Sequence, residues 1–196
     1  SDLLTCPDGK HPHLIDLGLP SGTKWACCNI GALKPEDYGG YYAWGETEEK
    51  SSYTWENYVY YTGKIDGYVT CADIGNSIAN TAYDVASSLW GNGWHMPSSS
   101  QCKEIMSKCT CIWNTEKGVN GWLVTGSNGG TIFLPAAGEY GRSLGAYGHY
   151  WSSTISIDES QPANKFRAYV IEFSQKFKNL GDAGRAFGYS VRPVHN

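Results

Sequence analysis

Apolar and polar positions alternate through Ala168-Tyr169-Val170-Ile171-Glu172-Phe173, which places Tyr169, Ile171 and Phe173 on one face of a strand and Ala168, Val170 and Glu172 on the other. Apolar-aromatic blocks bracket this strand, Gly148 to Ser153 before it and Gly188 to Val194 after it. Between them, Ile155 to Asn164 and Gln175 to Gly184 read as irregular, polar segments of the kind that carry binding residues on a rigid frame.

Earlier in the chain, Leu14 to Ala32 reads as strand, Pro20-Ser21-Gly22 turn, strand. Asn80 to Leu89 predicts a short helix, with Val85 and Leu89 four apart and Gly91 placed to end it. A second helix is better signalled. Pro97 precedes Ser98, Gln101 completes a capping box, and Cys102, Ile105, Met106 and Cys109 recur at helical spacing on one face. Gly121 to Thr125 and Thr131 to Pro135 flank Ser127-Asn128-Gly129-Gly130 as a hairpin, and Ala136 to Gly148 is a glycine-punctuated loop. Tyr53, Trp55, Tyr58, Tyr60 and Tyr61 crowd together and are assigned to packing, with sugar stacking as the other use of such rings. Residues 62–80 read as a polar excursion. Residues 1–13, broken by Pro7, Gly9 and Pro12, form a lead-in arm to a single domain over 14–196.

Composition narrows the class. A chain of 196 residues can bury a core of its own, and 8 Trp, 14 Tyr and 24 Gly suit short strands and ordered loops. The net charge of -4 favours neither nucleic acid nor an anionic membrane, and no apolar run approaches the ~20 residues of a spanning helix. Seven cysteines leave at least one thiol unpaired within the chain. Cys27 and Cys28, as strand neighbours, should point to opposite faces, one buried and one exposed or paired. His11-Pro12-His13 lacks the further ligands a metal needs and reads as surface, and Cys102, Cys109 and Cys111 match no zinc spacing. No metal or other cofactor is expected.

Several collinear motifs, from Asp16-Leu17-Gly18-Leu19 to Ser190-Val191-Arg192-Pro193-Val194, carry a resemblance. Between these lie Trp25-Ala26-Cys27-Cys28-Asn29-Ile30-Gly31-Ala32, Pro35-Glu36-Asp37-Tyr38-Gly39, Tyr41-Tyr42-Ala43-Trp44-Gly45-Glu46, Trp94-His95-Met96-Pro97, Ile132-Phe133-Leu134-Pro135-Ala136-Ala137-Gly138 and Tyr150-Trp151-Ser152-Ser153. Together they resemble the Fibrobacter succinogenes major paralogous domain, a family abundant in Bacteroidales. The resemblance implies an α+β, C-type-lectin-like fold related to formylglycine-generating enzymes, with two helices, short antiparallel strands and long ordered loops. It also implies a secreted or surface-anchored protein, with lipid anchoring through a removed N-terminal segment as one route. Variable proteins of diversity-generating retroelements share this fold and end in a motif similar to Gly188 to Pro193. Glu159, Gln161, Lys165, Glu172, Gln175, Lys176 and Lys178 cannot arise by adenine-directed mutation of AAC or AAT codons, so any diversification here is sparse.

Calcium-dependent lectins of this fold need a carboxylate loop, and Gln161-Pro162-Ala163 has none; the oxidase cysteine pair of the formylglycine enzymes is also missing, because the last cysteine is Cys111. His95, His149 and His195 stand apart from any catalytic motif, so no enzyme is expected. The expectation is a non-enzymatic binding protein for a protein or glycan ligand on another cell or surface. Its contacts are expected among Ile155, Asp158, Asn164, Arg167, Val170, Glu172, Lys176, Lys178, Asn179, Asp182, Arg185 and Phe187. A structural or adhesive subunit of a fimbria or surface layer, and a calcium-independent lectin, stay open beside it. For a cysteine pair, Cys28 with Cys109 is the expectation.

Overall fold

A computed structural model describes Cys6 and residues 13–161 and 163–196. Apart from Cys6 and His13, the expected lead-in arm lies outside these residues, as does Pro162.

Among the described residues the architecture is α+β, with two helices and small antiparallel sheets. Strands β1 (Leu14–Asp16) and β2 (Lys24–Ala26) form the expected hairpin, and the C-terminal β11 (Val194–His195) pairs with the other edge of β2. The expected polar excursion is instead a hairpin of β3 (Tyr61–Ile65) and β4 (Tyr68–Cys71). It turns through Asp66 and Gly67, both at positive φ, so the Asp-Gly pair was the local signal for it. Helix α1 (Val85–Trp90) starts at an Asp84 cap rather than at Asn80, and Leu89 stays 53 % exposed while Val85 is buried.

Helix α2 (Ser99–Lys108) follows the sequence closely. The Ser98 side chain accepts from Gln101 N, Gln101 reaches back to Ser98 N, and Cys102, Ile105 and Cys109 are buried with Met106 packed beside them. Strand β5 (Thr110–Glu116) comes next, an element the hydropathy pattern did not show; it pairs with β6 (Val119–Thr125) through a Lys117-Gly118 turn at positive φ. Strand β7 (Thr131–Pro135) completes that sheet across the expected hairpin.

Strands β8 (Tyr147–Ser156), β9 (Arg167–Ser174) and β10 (Lys178–Gly184) form the last sheet, with β9 in the middle. Most of Gln175 to Gly184 is therefore strand rather than loop. Gly181, Ala183 and Gly184 disguise it, because small residues have weak strand preference. They are small for steric reasons. A Cβ on Gly181 would lie 2.5 Å from Glu172 Oε2, and one on Gly184 would lie 2.8 Å from the Trp55 ring.

Strand β9 alternates as expected, yet both of its faces are buried. Ile171 and Phe173 join a core with Trp122, Val124, Leu134, Tyr150, Cys102 and Ile105, in which Trp122 stacks on Phe173 at 4.3 Å. Ala168 and Val170 join a second core with Trp151, Ile155, Trp44, Met96 and Tyr189 on the other side. Gly148 lies opposite Phe173, and any Cβ there would meet that ring at 2.1 Å.

Asp84 ties α1 to the chain that leads into α2. Its fully buried carboxylate accepts from the backbone N–H groups of Asn80 (2.9 Å), Ala86 (2.9 Å), Ser87 (3.2 Å) and Met96 (3.0 Å). Asp84→Ala strands several buried donors at ~1–3 kcal/mol each, so a loss of roughly 3 kcal/mol or more is expected in urea unfolding, with Asp84→Asn recovering part of it. An unchanged unfolding midpoint for Asp84→Ala would sink this account.

Candidate functional site

Neither face of the C-terminal sheet is free along its whole length. On the face that carries Val170, the end around Trp151, Ile155 and Ala168 is covered by the second core, while the end around Tyr147 and Phe177 reaches solvent. A row of polar groups crosses the three strands at the boundary, because His149 pairs with Glu172 and Glu172 with Asn179. Tyr147, two residues before His149, lies on the same face further out.

Aromatic rings continue this face beyond the sheet. Phe187 stacks on Tyr189 (5.9 Å, 16°), Tyr189 on His149 (4.8 Å, 14°) and His149 on Tyr147 (6.3 Å, 22°), with Phe177 tilted against Tyr147 at 6.0 Å. Tyr189 is buried, whereas Tyr147, Phe177 and Phe187 are each about 40 % exposed. The result is a ladder of near-parallel rings with open ends. Phe187 borders a cleft of about 260 Å³ with Tyr53, Tyr140 and Arg142. At the other end, Phe177 borders a shallow one of about 300 Å³ with Trp113 and Trp122.

Electrostatics on this face favour neutral forms. Burial holds the Glu172 carboxyl above its usual range, reinforced by Asp182 and opposed by Arg167 and Asn179. Burial also holds the His149 imidazole below its usual value, so the ring is neutral at pH 7. The 3.9 Å between His149 Nδ1 and Glu172 Oε1 is accordingly neither an ion pair nor a hydrogen bond.

The expected contact residues divide under this geometry. Glu172, Asn179 and Phe187 come together on the open face, with Lys176 exposed in the β9–β10 turn beside Phe177. Ile155, Val170 and Arg185 do not reach the surface and are corrected to core positions, at 4 %, 0 % and 0 % exposure. Ile155 and Val170 fill the second core, since β9 is covered on both sides. Arg185 donates to Tyr58 Oη and to the Ala72 and Lys165 carbonyls, with its guanidinium over the Trp44 ring at 4.9 Å. Arg167, Lys178 and Asp182 point to the opposite face. There Arg167 binds Asp182 at 2.7 Å, Ser156 donates to Asp182, and Lys178 Nζ lies 3.1 Å from the Met106 carbonyl near the end of α2. Asp158 and Asn164 lie in the 157–166 connection, where Asp158 accepts from Ser160. Tyr147, His149, Phe177 and Tyr189 were absent from the expected set. The spacing of Tyr147, His149 and Trp151 on one strand was the available signal for the first two.

The aromatic group of residues 53–61 packs as expected. Tyr58 is buried with Ala43 and Ala186, and Tyr53, Trp55, Tyr60 and Tyr61 lean on it.

A second constellation lies elsewhere. Cys6, His13, Cys27 and Cys28 are all buried, and one donor atom from each falls within 4.8 Å of the others. The β1–β2 ladder runs one pair further than its strands, with Cys27 N donating to His13 O at 2.9 Å, and this sets His13 Nδ1 3.1 Å from Cys27 Sγ. Cys28 Sγ lies 4.0 Å from Cys6 Sγ. His13 is thus no surface residue, and Cys27 and Cys28, which follow β2 on bent backbone, share one buried site. The Cys28 thiol is pushed down, chiefly by its hydrogen bond with Cys27 and then by His13 and Arg192 against the cost of burial; Cys27 is pushed up by Cys28 and burial. Cys28 and Cys109, the expected pair, sit in separate cores. A cleft of about 540 Å³ borders this constellation through Cys27 and is lined also by Ile15, Glu36, Lys117 and Phe133. It is away from the aromatic ladder.

Comparison of the chain with protein-family models, with curated proteins and with solved structures finds no match in any of the three.

His149 makes the open face pH-sensitive. Its folded-state pKa lies below the ordinary 6.5, so the stability of the neutral, stacked ring is present above that value and is lost as pH falls through the folded pKa. His149→Phe keeps a ring in the ladder and removes the titration. Its melting temperature is expected to fall less than that of wild type between about pH 7 and about pH 5; parallel curves would show that His149 does not titrate with folding.

Proposed function

We propose that the protein is a non-enzymatic ligand-binding module of C-type-lectin-like architecture, similar to the Fibrobacter succinogenes major paralogous domain, secreted or held at a cell surface. Its ligand is a protein or glycan on another cell or surface. The observation that carries this reading is the aromatic ladder with half-buried Glu172 and exposed Asn179 beside it, on a sheet whose other face packs on the first core. Exposed aromatics at the ends of a fixed frame supply contact area at little cost in side-chain entropy, and the polar row supplies direction. Relation to the variable proteins of diversity-generating retroelements belongs to the same proposal and rests on the C-terminal motif.

Among ligands, a calcium-independent glycan is favoured by one specific feature. Flat, near-parallel rings beside a carboxyl and an amide match the apolar faces and hydroxyl groups of a pyranose, while Arg167 and Asp182, two of the charged candidates, are paired with each other on the opposite face.

Glycan and protein arrays probed with the wild-type chain test the reading. Tyr147→Ala, Phe187→Ala and Glu172→Gln should each weaken capture about tenfold or more, while stability changes by no more than about 1 kcal/mol. Lys178→Ala and Arg167→Ala, on the opposite face, should leave capture unchanged. Capture that follows the second pair and ignores the first three would overturn the assignment of the face.

A further inference from the structure

We propose that Cys6, His13, Cys27 and Cys28 form a structural site for one tetrahedral zinc ion. Zinc bound by three thiolates and an imidazole has metal–sulfur distances of about 2.3 Å and metal–nitrogen distances of about 2.0 Å, which sets donor separations of about 3.5–3.8 Å. The observed separations bracket that range: 3.1 Å for His13 Nδ1 to Cys27 Sγ, 4.0 Å for Cys6 Sγ to Cys28 Sγ, and none of the six above 4.8 Å. Four protein donors close the coordination sphere. Such a site is structural, since no position is left for water or substrate.

Charge points the same way. Arg192 is fully buried and donates to Asn29 Oδ1 (2.8 Å), the Ala26 carbonyl (3.1 Å) and the Phe133 carbonyl (2.7 Å), all of them neutral. Among the described residues no carboxylate forms an ion pair with it. A nearby anion would offset the charge of this buried guanidinium. Three thiolates around a divalent cation, with a neutral imidazole, carry one net negative charge, and the Arg192 guanidinium is held at the Ala26 carbonyl, one residue before Cys27.

His13 is oriented for the role. Its Nδ1 faces the sulfurs, while its ring is held between Trp90 (4.5 Å) and Trp94 (5.0 Å). Packing thus fixes the imidazole plane before any ion arrives, as a ligand pre-organised for a metal requires. The bound ion would join the segment at Cys6 to the β1–β2 hairpin and to the turn that follows it, where Cys28 Sγ contacts the Ala32 carbonyl. A catalytic thiol is a poor alternative, because Cys28 and His13 are 0 % exposed.

The test uses the whole chain, reduced and loaded with zinc, then measured by elemental analysis, with cobalt as a spectroscopic stand-in. One zinc per chain is expected, with the visible bands and sulfur-to-metal charge transfer of tetrahedral, thiolate-bound cobalt. Chelation should lower the melting temperature, and His13→Ala, Cys6→Ser and Cys27→Ser should each weaken zinc binding more than about 100-fold. Cys71→Ser, outside the group, should bind as wild type does. Should a ligand variant fail to fold, the wild-type cobalt spectrum still decides. The proposal is overturned by reduced protein that takes up no metal, by a six-coordinate cobalt spectrum, or by native protein lighter by two hydrogens through a disulfide among these cysteines.

Discussion

The guanidinium of Arg192 is the polar node on which the interior is assembled. Its donors reach the end of β2 at Ala26, β7 at Phe133 and the side chain of Asn29, and Asn29 passes the connection on to the Tyr38 carbonyl and Tyr150 Oη. Tyr150 in turn donates to the Pro135 carbonyl. One buried charge thereby satisfies carbonyls in two sheets and, through Asn29 and Tyr150, is linked to a third. Losing it would strand those acceptors as well as empty a large volume, a combination that accounts for severe destabilisation. The same charge also favours the Cys28 thiolate, after the hydrogen bonds from Cys27 and His13, so the C-terminal motif and the N-terminal hairpin are coupled electrostatically as well as by the pairing of β11 with β2.

The second constraint is that β9 is a central strand covered on both faces. Burying both sides of a three-stranded sheet commits most of its side chains to packing, and the stacks of Trp122 and Tyr150 on Phe173 show how tightly one side is filled. What remains exposed is the end of the sheet around Tyr147 and Phe177. There the ladder from Phe187 to Tyr147 is supported from beneath by buried Tyr189, and burial lowers the His149 pKa and raises that of Glu172. A surface of this kind is rigid because its inner ring belongs to the core.

The two regions of chemical interest draw on different physics and lie in different parts of the chain. The aromatic face offers area and a few hydrogen-bonding groups to a partner in solvent. The thiol and imidazole group is sealed, and its donors can act only on something small enough to lie between them. With the resemblance untouched by any matching relative, both rest on the local geometry described above.

Local rules sufficed wherever neighbours in the sequence are also neighbours in space. The capping box of α2 and its buried stripe, the β1–β2 hairpin, the β6–β7 hairpin and the alternation of β9 were all legible, because capping, turn chemistry and side-chain period act over a few residues. Even the pairing of His13 with Cys27 follows from the β1–β2 register, had that register been extended by one residue. The burial of both β9 faces was not legible, because alternation tells which side chains share a face and not what covers it. That is why Ile155 and Val170 read as surface and belong to the core; Arg185 is buried by partners distant in sequence, at Tyr58, Ala72 and Lys165, and β10 read as loop because it is rich in glycine and alanine. The arrival of Cys6 beside Cys28, and of Phe187 and Tyr189 beside His149, is decided by long-range packing alone. Residues far apart in the sequence carry no local mark of the partner that the tertiary structure gives them.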